Sequence, residues 1–168
     1  MGDFLKLSGG VPTDANALNA SAGAGDAGKL VKLDAAGKID GTMMPTGVGS
    51  ETRTITASEA LAAGDLINIW NSTGAKVRKA DGNSAGKEAH GFVLAAVANG
   101  AAATVYPEEN VISGLTGLTP GARMFLGTTA GQSVAVAPST SGQVAQEIGV
   151  ALSTTEIMFR PRQPITLA

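Results

Sequence analysis

Residues 90–106, HGFVLAAVANGAAATVY, decide the fold because they join two apolar runs through an Asn-Gly turn. The first run, residues 90–98, has the length of a strand that is buried on both sides. Its side chains alternate between faces, with Phe92 and Leu94 on one and Val93 and Val97 on the other. Asn99-Gly100 is the strongest hairpin signal in the chain, since a type I′ turn needs positive φ at both central residues. Thr104–Tyr106 is predicted to return beside the first run.

The sequence around this segment repeats the same pattern from Gly64 to Pro161. Turns are predicted at Gly64-Asp65, Asn71–Gly74, Asp81-Gly82, Thr119-Pro120-Gly121 (type II) and Ala130-Gly131. The strands predicted between and after them are Lys76–Ala80, Ala122–Leu126, Ser133–Ala137, Val144–Leu152 and Glu156–Phe159. Eight or nine short strands with turns every ~8 to 12 residues indicate an all-β fold, a small barrel or sandwich, rather than βαβ units. We call residues 51–168 the knob.

Composition limits the classes of function. The 168 residues fit one ordinary domain plus an extension, and 23 glycines with 4% aromatic residues give a thin interior that burial against other subunits would stabilise. A net charge of −2 with 12 basic residues does not indicate the clustered basic surface that binds nucleic acid. Cysteine is absent, which removes disulfides and thiolate chemistry. No apolar run reaches the ~18 residues of a membrane span, and Met1–Leu7 lacks a signal-peptide core, so we expect a soluble product made in the cytoplasm.

Residues 1–50 are predicted to form an extended N-terminal arm. GKLVKLD (28–34) and GKID (37–40) have strand patterning, and Ala35-Ala36-Gly37 is predicted to turn between them as a short hairpin. Such a hairpin is marginal alone, so we expect it to become ordered on a partner. The predicted partner-binding residues are Phe4, Leu5, Leu7, Leu30, Val31, Leu33, Ile39, Met43 and Met44. The alternative is a flexible leader without a partner.

No residue pattern predicts catalysis, a metal site or a cofactor. GAGDAG (23–28) matches G-x-G-x-x-G, but the residues before it are not strand-like and a strand pattern follows, so the match is interpreted as accidental. His90 is the only histidine and is predicted to be structural. Glu108-Glu109 and Asp65 are predicted to be solvated, with no positioned pair of acids.

Two further groups are candidates for protein contact. Lys76, Arg78 and Lys79 form the densest basic cluster, which would suit an acidic partner or simply a solvated strand face. Met43-Met44-Pro45 and Pro161–Ala168 combine apolar side chains with proline, which fixes extended backbone that docks with little loss of entropy.

The arm sequence GKLVKLDAAGKIDGTMMP resembles the leaders of tailed-phage structural proteins. Residues 89–106, 114–131 (GLTGLTPGARMFLGTTAG) and 144–161 (VAQEIGVALSTTEIMFRP) resemble the small β-domains of phage head-decoration and head- or tail-fibre proteins. The resemblance implies a non-enzymatic virion protein, a homotrimer on the outer capsid surface, whose arm binds the major capsid protein. From charge and hydropathy we expect binding to neither nucleic acid nor membrane. A decoration, or cement, protein fits the length best, because a fibre usually adds a long shaft and tip.

Three hypotheses are compatible with the sequence. The first is a capsid decoration protein, and the second is a short head- or tail-fibre or baseplate adhesin, which an exposed aromatic surface at Trp70 or Tyr106 would favour. The third is a small enzyme on a β-scaffold, which would depend on His90.

Overall fold

A computed structural model of the chain describes residues 4–35, 37–44 and 51–168. The chain divides into two units, Met1–Gly49 and Ser50–Ala168. The fold is all-β, and the described residues contain no α-helix. Ala36, Pro45 and Ser50, which fall in the predicted turn, contact segment and arm boundary, lie outside the described residues.

The N-terminal unit begins with an antiparallel hairpin of β1 (Phe4–Ser8) and β2 (Val11–Ala15). Gly9 and Gly10 form the two-residue loop, and both have positive φ, 61° and 83°. This is the type I′ geometry that matches the twist of the flanking strands, and glycine adopts it without steric cost. Two single-turn 3-10 helices follow, Ala24–Asp26 and Gly41–Met43.

The hairpin predicted over residues 28–40 is wrong. The turn itself forms, since the Asp34 N–H donates to Lys38 O at 2.8 Å. Beyond this pair, the described residues before the turn form no strand with those after it. They bond to Leu18 instead, through a parallel bridge between Leu18 and Val31. The predicted strand around Val31 therefore pairs with an earlier segment of the chain.

The knob contains the remaining strands. They are β3 (Arg53–Ala57), β4 (Leu66–Asn71), β5 (Ala75–Lys79), β6 (Gly91–Phe92), β7 (Ala102–Val105), β8 (Val111–Ile112), β9 (Arg123–Leu126), β10 (Ser133–Val134), β11 (Val144–Ala145), β12 (Glu147–Ala151), β13 (Ile157–Phe159) and β14 (Ile165–Thr166). Sheet I has the order β6-β4-β5-β3-β7, and sheet II has the order β10-β9-β12-β13-β8. β11 pairs with β14 in a small third sheet.

Sheet I curls around a core of its own. Within it β3 and β5 run parallel, and the other pairs are antiparallel. An antiparallel bridge between Phe92 and Tyr106 brings its two edge strands together. The core inside the curl contains only aliphatic residues: Ala57, Leu61, Ile67, Val77, Val93, Ala103 and Val105.

A second, larger core receives side chains from both sheets. Phe92 packs edge-on against Phe159 with ring centroids 5.4 Å apart, and it stacks on Tyr106. The buried members of this core are Leu66, Ala80, Ala89, Phe92, Ile112, Met124, Leu126, Ile148, Ala151, Ile157 and Phe159. Adjacent residues of β4, Leu66 and Ile67, therefore enter different cores.

Backbone hydrogen bonds join the two sheets at Gly131. The Leu66 N–H donates to Gly131 O at 2.8 Å, and the Gly131 N–H donates to Ala80 O at 2.7 Å. The Asp65 carboxylate lies so close to Gly131 that a Cβ there would collide with it. Asp65 itself is buried, bonds the Ala62 N–H and pairs with Lys79 at 3.2 Å. The prediction that Asp65 is solvated is wrong, because its carboxylate is needed at this junction.

In residues 90–106 the structure confirms the predicted side-chain faces but not the predicted strand pairing. Phe92 and Leu94 join the larger core, and Val93 and Val97 the smaller one, as predicted. The strand is only Gly91–Phe92, and β7 pairs with β3 along its length. The Ala101 N–H donates to Ala98 O, and of the two central residues only Gly100 has positive φ, so the turn is type II and not type I′.

The later turns are confirmed with shorter strands between them. The Ala122 N–H donates to Thr119 O and Gly121 has a φ of 82°, which is the predicted type II turn. The segment predicted as one strand, Val144–Leu152, is divided between β11 and β12 at Gln146. The buried Gln146 amide bonds both backbone groups of Ala89, accepting at 2.8 Å and donating at 3.1 Å. This side chain therefore makes the two backbone hydrogen bonds that a neighbouring strand would otherwise make with Ala89.

Replacing Gly149 by alanine should unfold the knob or cost more than about 3 kcal/mol of its unfolding free energy. Gly149 lies at a bulge in β12 with a φ of 145°, and an added Cβ would overlap the carbonyl oxygen of Met158 on β13. The control is Gly74→Ala, which also has positive φ but open space around it. We expect the control to cost about 1–2 kcal/mol, the cost of an L-residue at positive φ. Equal costs in urea denaturation would show that the overlap with Met158 has no effect.

Gln146→Ala should lower the unfolding free energy by about 1–3 kcal/mol, because the N–H and C=O of buried Ala89 lose their partners. Gln163→Ala, at an exposed position of the C-terminal tail, is the matched control and should change stability by less than about 0.5 kcal/mol. The measurement is thermal unfolding followed by circular dichroism. A Gln146 variant as stable as the control would contradict the role given to this amide.

Candidate protein-binding surface

The β1–β2 hairpin presents an apolar face to solvent. Leu5 and Leu7 are 71% and 74% exposed, and their partners across the hairpin are Asp14 and Pro12. Directly opposite residues in an antiparallel pair project from the same face, so Leu5, Leu7 and Pro12 lie together. Phe4 is half-buried and belongs to the other face. The solvent exposure of two leucine side chains on one strand is energetically unfavourable.

The two outer edges of this hairpin differ chemically. The two-residue loop makes Ser8 and Val11 a hydrogen-bonded pair, so bonding alternates and the main-chain groups of Leu5 and Leu7 point away from β2. The corresponding edge of β2 contains Pro12, which has no N–H to donate. The β1 edge is therefore able to accept another strand, whereas the β2 edge is blunted.

The other predicted binding residues of this unit are also at the surface. No described residue of residues 4–44 is buried, so these apolar side chains do not form a core of their own. Leu30, Val31, Leu33, Ile39 and Met44 are between 40% and 56% exposed. Met43 is half-buried and lines a small cavity of about 150 Å³ with Leu18 and Val31.

Two aspartate side chains accept hydrogen bonds within the connecting segments of the N-terminal unit. The Thr42 hydroxyl, followed by the Thr42 N–H, lowers the pKa of Asp40, whose carboxylate caps the second 3-10 helix. Lys29, followed by the Ala22 N–H, lowers the pKa of Asp26. Asp26 lies in GAGDAG (23–28), where the structure has a three-residue 3-10 helix rather than the strand and α-helix of a dinucleotide site.

The cap at Asp40 should be lost in acid. Because the pKa of Asp40 is lowered in the folded state, its contribution is complete above the ordinary aspartate value of about 3.9 and disappears as pH falls through the lower folded value. The Thr42 amide resonance should report this titration by NMR. Asp40→Asn is the control and should abolish it. A midpoint at or above the ordinary value would contradict the cap.

The predicted basic cluster is largely used within the knob. Arg78 lies over the Trp70 ring at 4.6 Å and donates to Asn68 Oδ1 and Gly86 O. Lys79 pairs with Asp65. Two of the three cations are thus engaged in intramolecular contacts, so less of this charge is left for an acidic partner.

The aromatic residues have similar internal roles. The Trp70 indole N–H donates to Ser58 Oγ at 3.1 Å, beneath the Arg78 guanidinium, and Tyr106 stacks on Phe92. Neither ring is presented as an open surface for a glycan. The adhesin hypothesis receives no support from these two residues.

His90 and Glu109 make hydrogen bonds within the knob. His90 Nδ1 accepts the Ile69 N–H at 3.0 Å and lies 3.4 Å from the Asn68 amide nitrogen. Exposed Glu109 forms a paired hydrogen bond with Arg160, at 2.7 and 3.1 Å. Among the described residues, no three histidine or acidic side chains are grouped to hold a metal ion.

The C-terminal tail, a predicted contact segment, folds back on the knob. β14 pairs with β11, and the Arg162 N–H donates to Glu147 O. Ile165 on β14 remains 64% exposed. None of the helices among the described residues is long or apolar enough to cross a membrane.

The β1–β2 hairpin is the part of this surface that sequence reasoning missed as a structural element. The signal was present, because Gly9-Gly10 lies between the two runs FLKLS and VPTDA. The sequence predicts Leu5 and Leu7 as binding residues from their apolar character alone. No protein-family model matches the chain, and no curated protein matches it significantly.

Proposed function

We propose that this protein is a structural virion component that binds the outer surface of an assembled phage capsid and stabilises it. The observation that carries the proposal is the contrast between the two units. The knob buries its large apolar side chains in two cores, whereas the N-terminal unit buries none of its described residues and exposes Leu5 and Leu7. A segment of this kind gains its stability from a partner.

The hairpin suggests how the arm would engage the major capsid protein. The free β1 edge would pair with an exposed strand of a capsid subunit, which is recognition by strand addition. Main-chain hydrogen bonds would set the register, and Leu5 and Leu7 would be buried against the capsid. Full burial of one leucine side chain contributes about 1.5–3 kcal/mol, so these two residues would dominate the contact.

Stabilisation of the shell would follow from mass action. An arm that binds the assembled lattice and not free subunits adds its binding free energy to the stability of the lattice. The proposed assembly is a homotrimer, as the resemblance implies, and three tethered arms would add avidity without new contacts. This role requires no catalytic group, cofactor, nucleic acid or membrane.

Replacing Leu5 and Leu7 together by serine should weaken binding to capsids that lack the protein by about 100-fold or more, from the lost burial of two leucines. Lys6→Ser is the control, because Lys6 lies on the same strand and its side chain projects from the opposite face. The control should bind within about threefold of the unchanged protein. Binding is measured by co-sedimentation with purified capsids. Equal binding of all three proteins would remove the hairpin from the proposal.

The copy number per virion tests the proposed location. Quantitative mass spectrometry of purified virions should find hundreds of copies, near-stoichiometric with the major capsid protein. A few copies to a few tens would place the protein at the tail or portal vertex and contradict decoration of the capsid lattice.

A further inference from the structure

A cavity of about 440 Å³ lies in the knob beside the junction of Asp65 and Gly131. Its lining comes from three segments, within residues 62–65, 114–118 and 131–133. Sites for small molecules commonly measure ~300–1,000 Å³, so this volume is sufficient for a small ligand.

Asp65 leaves one carboxylate oxygen in this cavity without a partner. The residue is only 8% exposed. Its Oδ2 accepts the Ala62 N–H at 2.7 Å and pairs with Lys79 at 3.2 Å, whereas no described residue bonds to Oδ1, which lies next to Gly131. Every fully buried polar side-chain atom in the described part of the chain has a hydrogen-bond partner, so Oδ1 is reached by solvent from the cavity. This nearly buried acceptor is therefore open to a donor from a ligand.

The rest of the lining combines polar groups with an apolar wall. The side chains of Thr116, Gln132 and Ser133 line the cavity and make no hydrogen bond with any described residue. Hydroxyl and amide groups of this kind both donate and accept. Leu115 and Leu118 are half-buried and form the apolar wall.

The charge at the site indicates a neutral ligand. Lys79 already neutralises Asp65, so a bound cation would leave a net positive charge in a partly buried site, where unpaired charge is costly. A sugar has the required chemistry, because its hydroxyls donate and accept hydrogen bonds and its C–H groups pack against apolar side chains.

We propose that this cavity binds a neutral sugar, a mono- or disaccharide, with one hydroxyl donating to Asp65 Oδ1. Thr116, Gln132 and Ser133 bond further hydroxyls, and the C–H face of the ring packs on Leu115. All of these residues belong to the knob, so the site does not depend on the proposed capsid contact of Leu5 and Leu7.

The full-length protein should bind at least one of four sugars: glucose, galactose, mannose and N-acetylglucosamine. Binding is measured by NMR titration, in which the Gly131 and Thr116 amide resonances should shift and saturate. Thr116→Ala with Ser133→Ala should weaken binding about tenfold, from two lost hydrogen bonds. Ser139→Ala with Thr140→Ala is the matched control, because these hydroxyl side chains are exposed outside the cavity, and it should bind as the unchanged protein does.

Two further variants test the carboxylate and the cavity itself. Asp65→Asn should weaken binding more than about tenfold, since the acceptor loses its charge. It also removes the ion pair with Lys79, so Ala63→Trp is the second variant, which fills the cavity from an exposed position and should abolish binding. Ala85→Trp, at an exposed position outside the cavity, is its control and should bind normally.

Three results would overturn the proposal. The first is that none of the four sugars shifts the Gly131 and Thr116 resonances. The second is undiminished sugar binding by Ala63→Trp, which would place the sugar elsewhere. The third is that n-butylammonium shifts these resonances and the sugars do not, which would assign the cavity to a basic side chain of a partner protein.

Discussion

The knob depends on one constraint, which is that neighbouring residues of a single strand must be buried in different cores. Leu66 faces the core shared by the two sheets, and Ile67 faces the core inside sheet I. Phe92 and Val93 repeat this arrangement on the adjacent strand. Because strand side chains alternate in direction, a shift of one residue in register would exchange the two cores completely. Large and small apolar residues are thereby tied to fixed places in a chain with few aromatic residues.

The same alternation explains what could be predicted from sequence. Side-chain period and turn residues were sufficient for the all-β class, for the faces of residues 90–98 and for the type II turn at Gly121. The pairing partners of the strands could not be predicted in this way. A strand pattern indicates that a segment pairs but not with which other segment. Residues 28–34 consequently bonded to Leu18, and β7 joined β3.

Side chains that take over hydrogen bonds or positions at backbone junctions could not be predicted from the sequence either. Gln146 interrupts a predicted strand and bonds Ala89, 57 residues away along the chain. Asp65 occupies a predicted turn and yet is buried beside Gly131. The candidate binding surface was found by composition, since exposed leucines were predicted as binding residues, while its hairpin geometry came only with the structure.

Pro12 has a consequence for self-association through the hairpin. A hairpin with two open edges could add to itself repeatedly, as strands do in a growing fibril. With proline on one edge, the hairpin can extend a sheet by two strands and then terminates it. Polymerisation through the hairpin would therefore stop at the edge that contains Pro12.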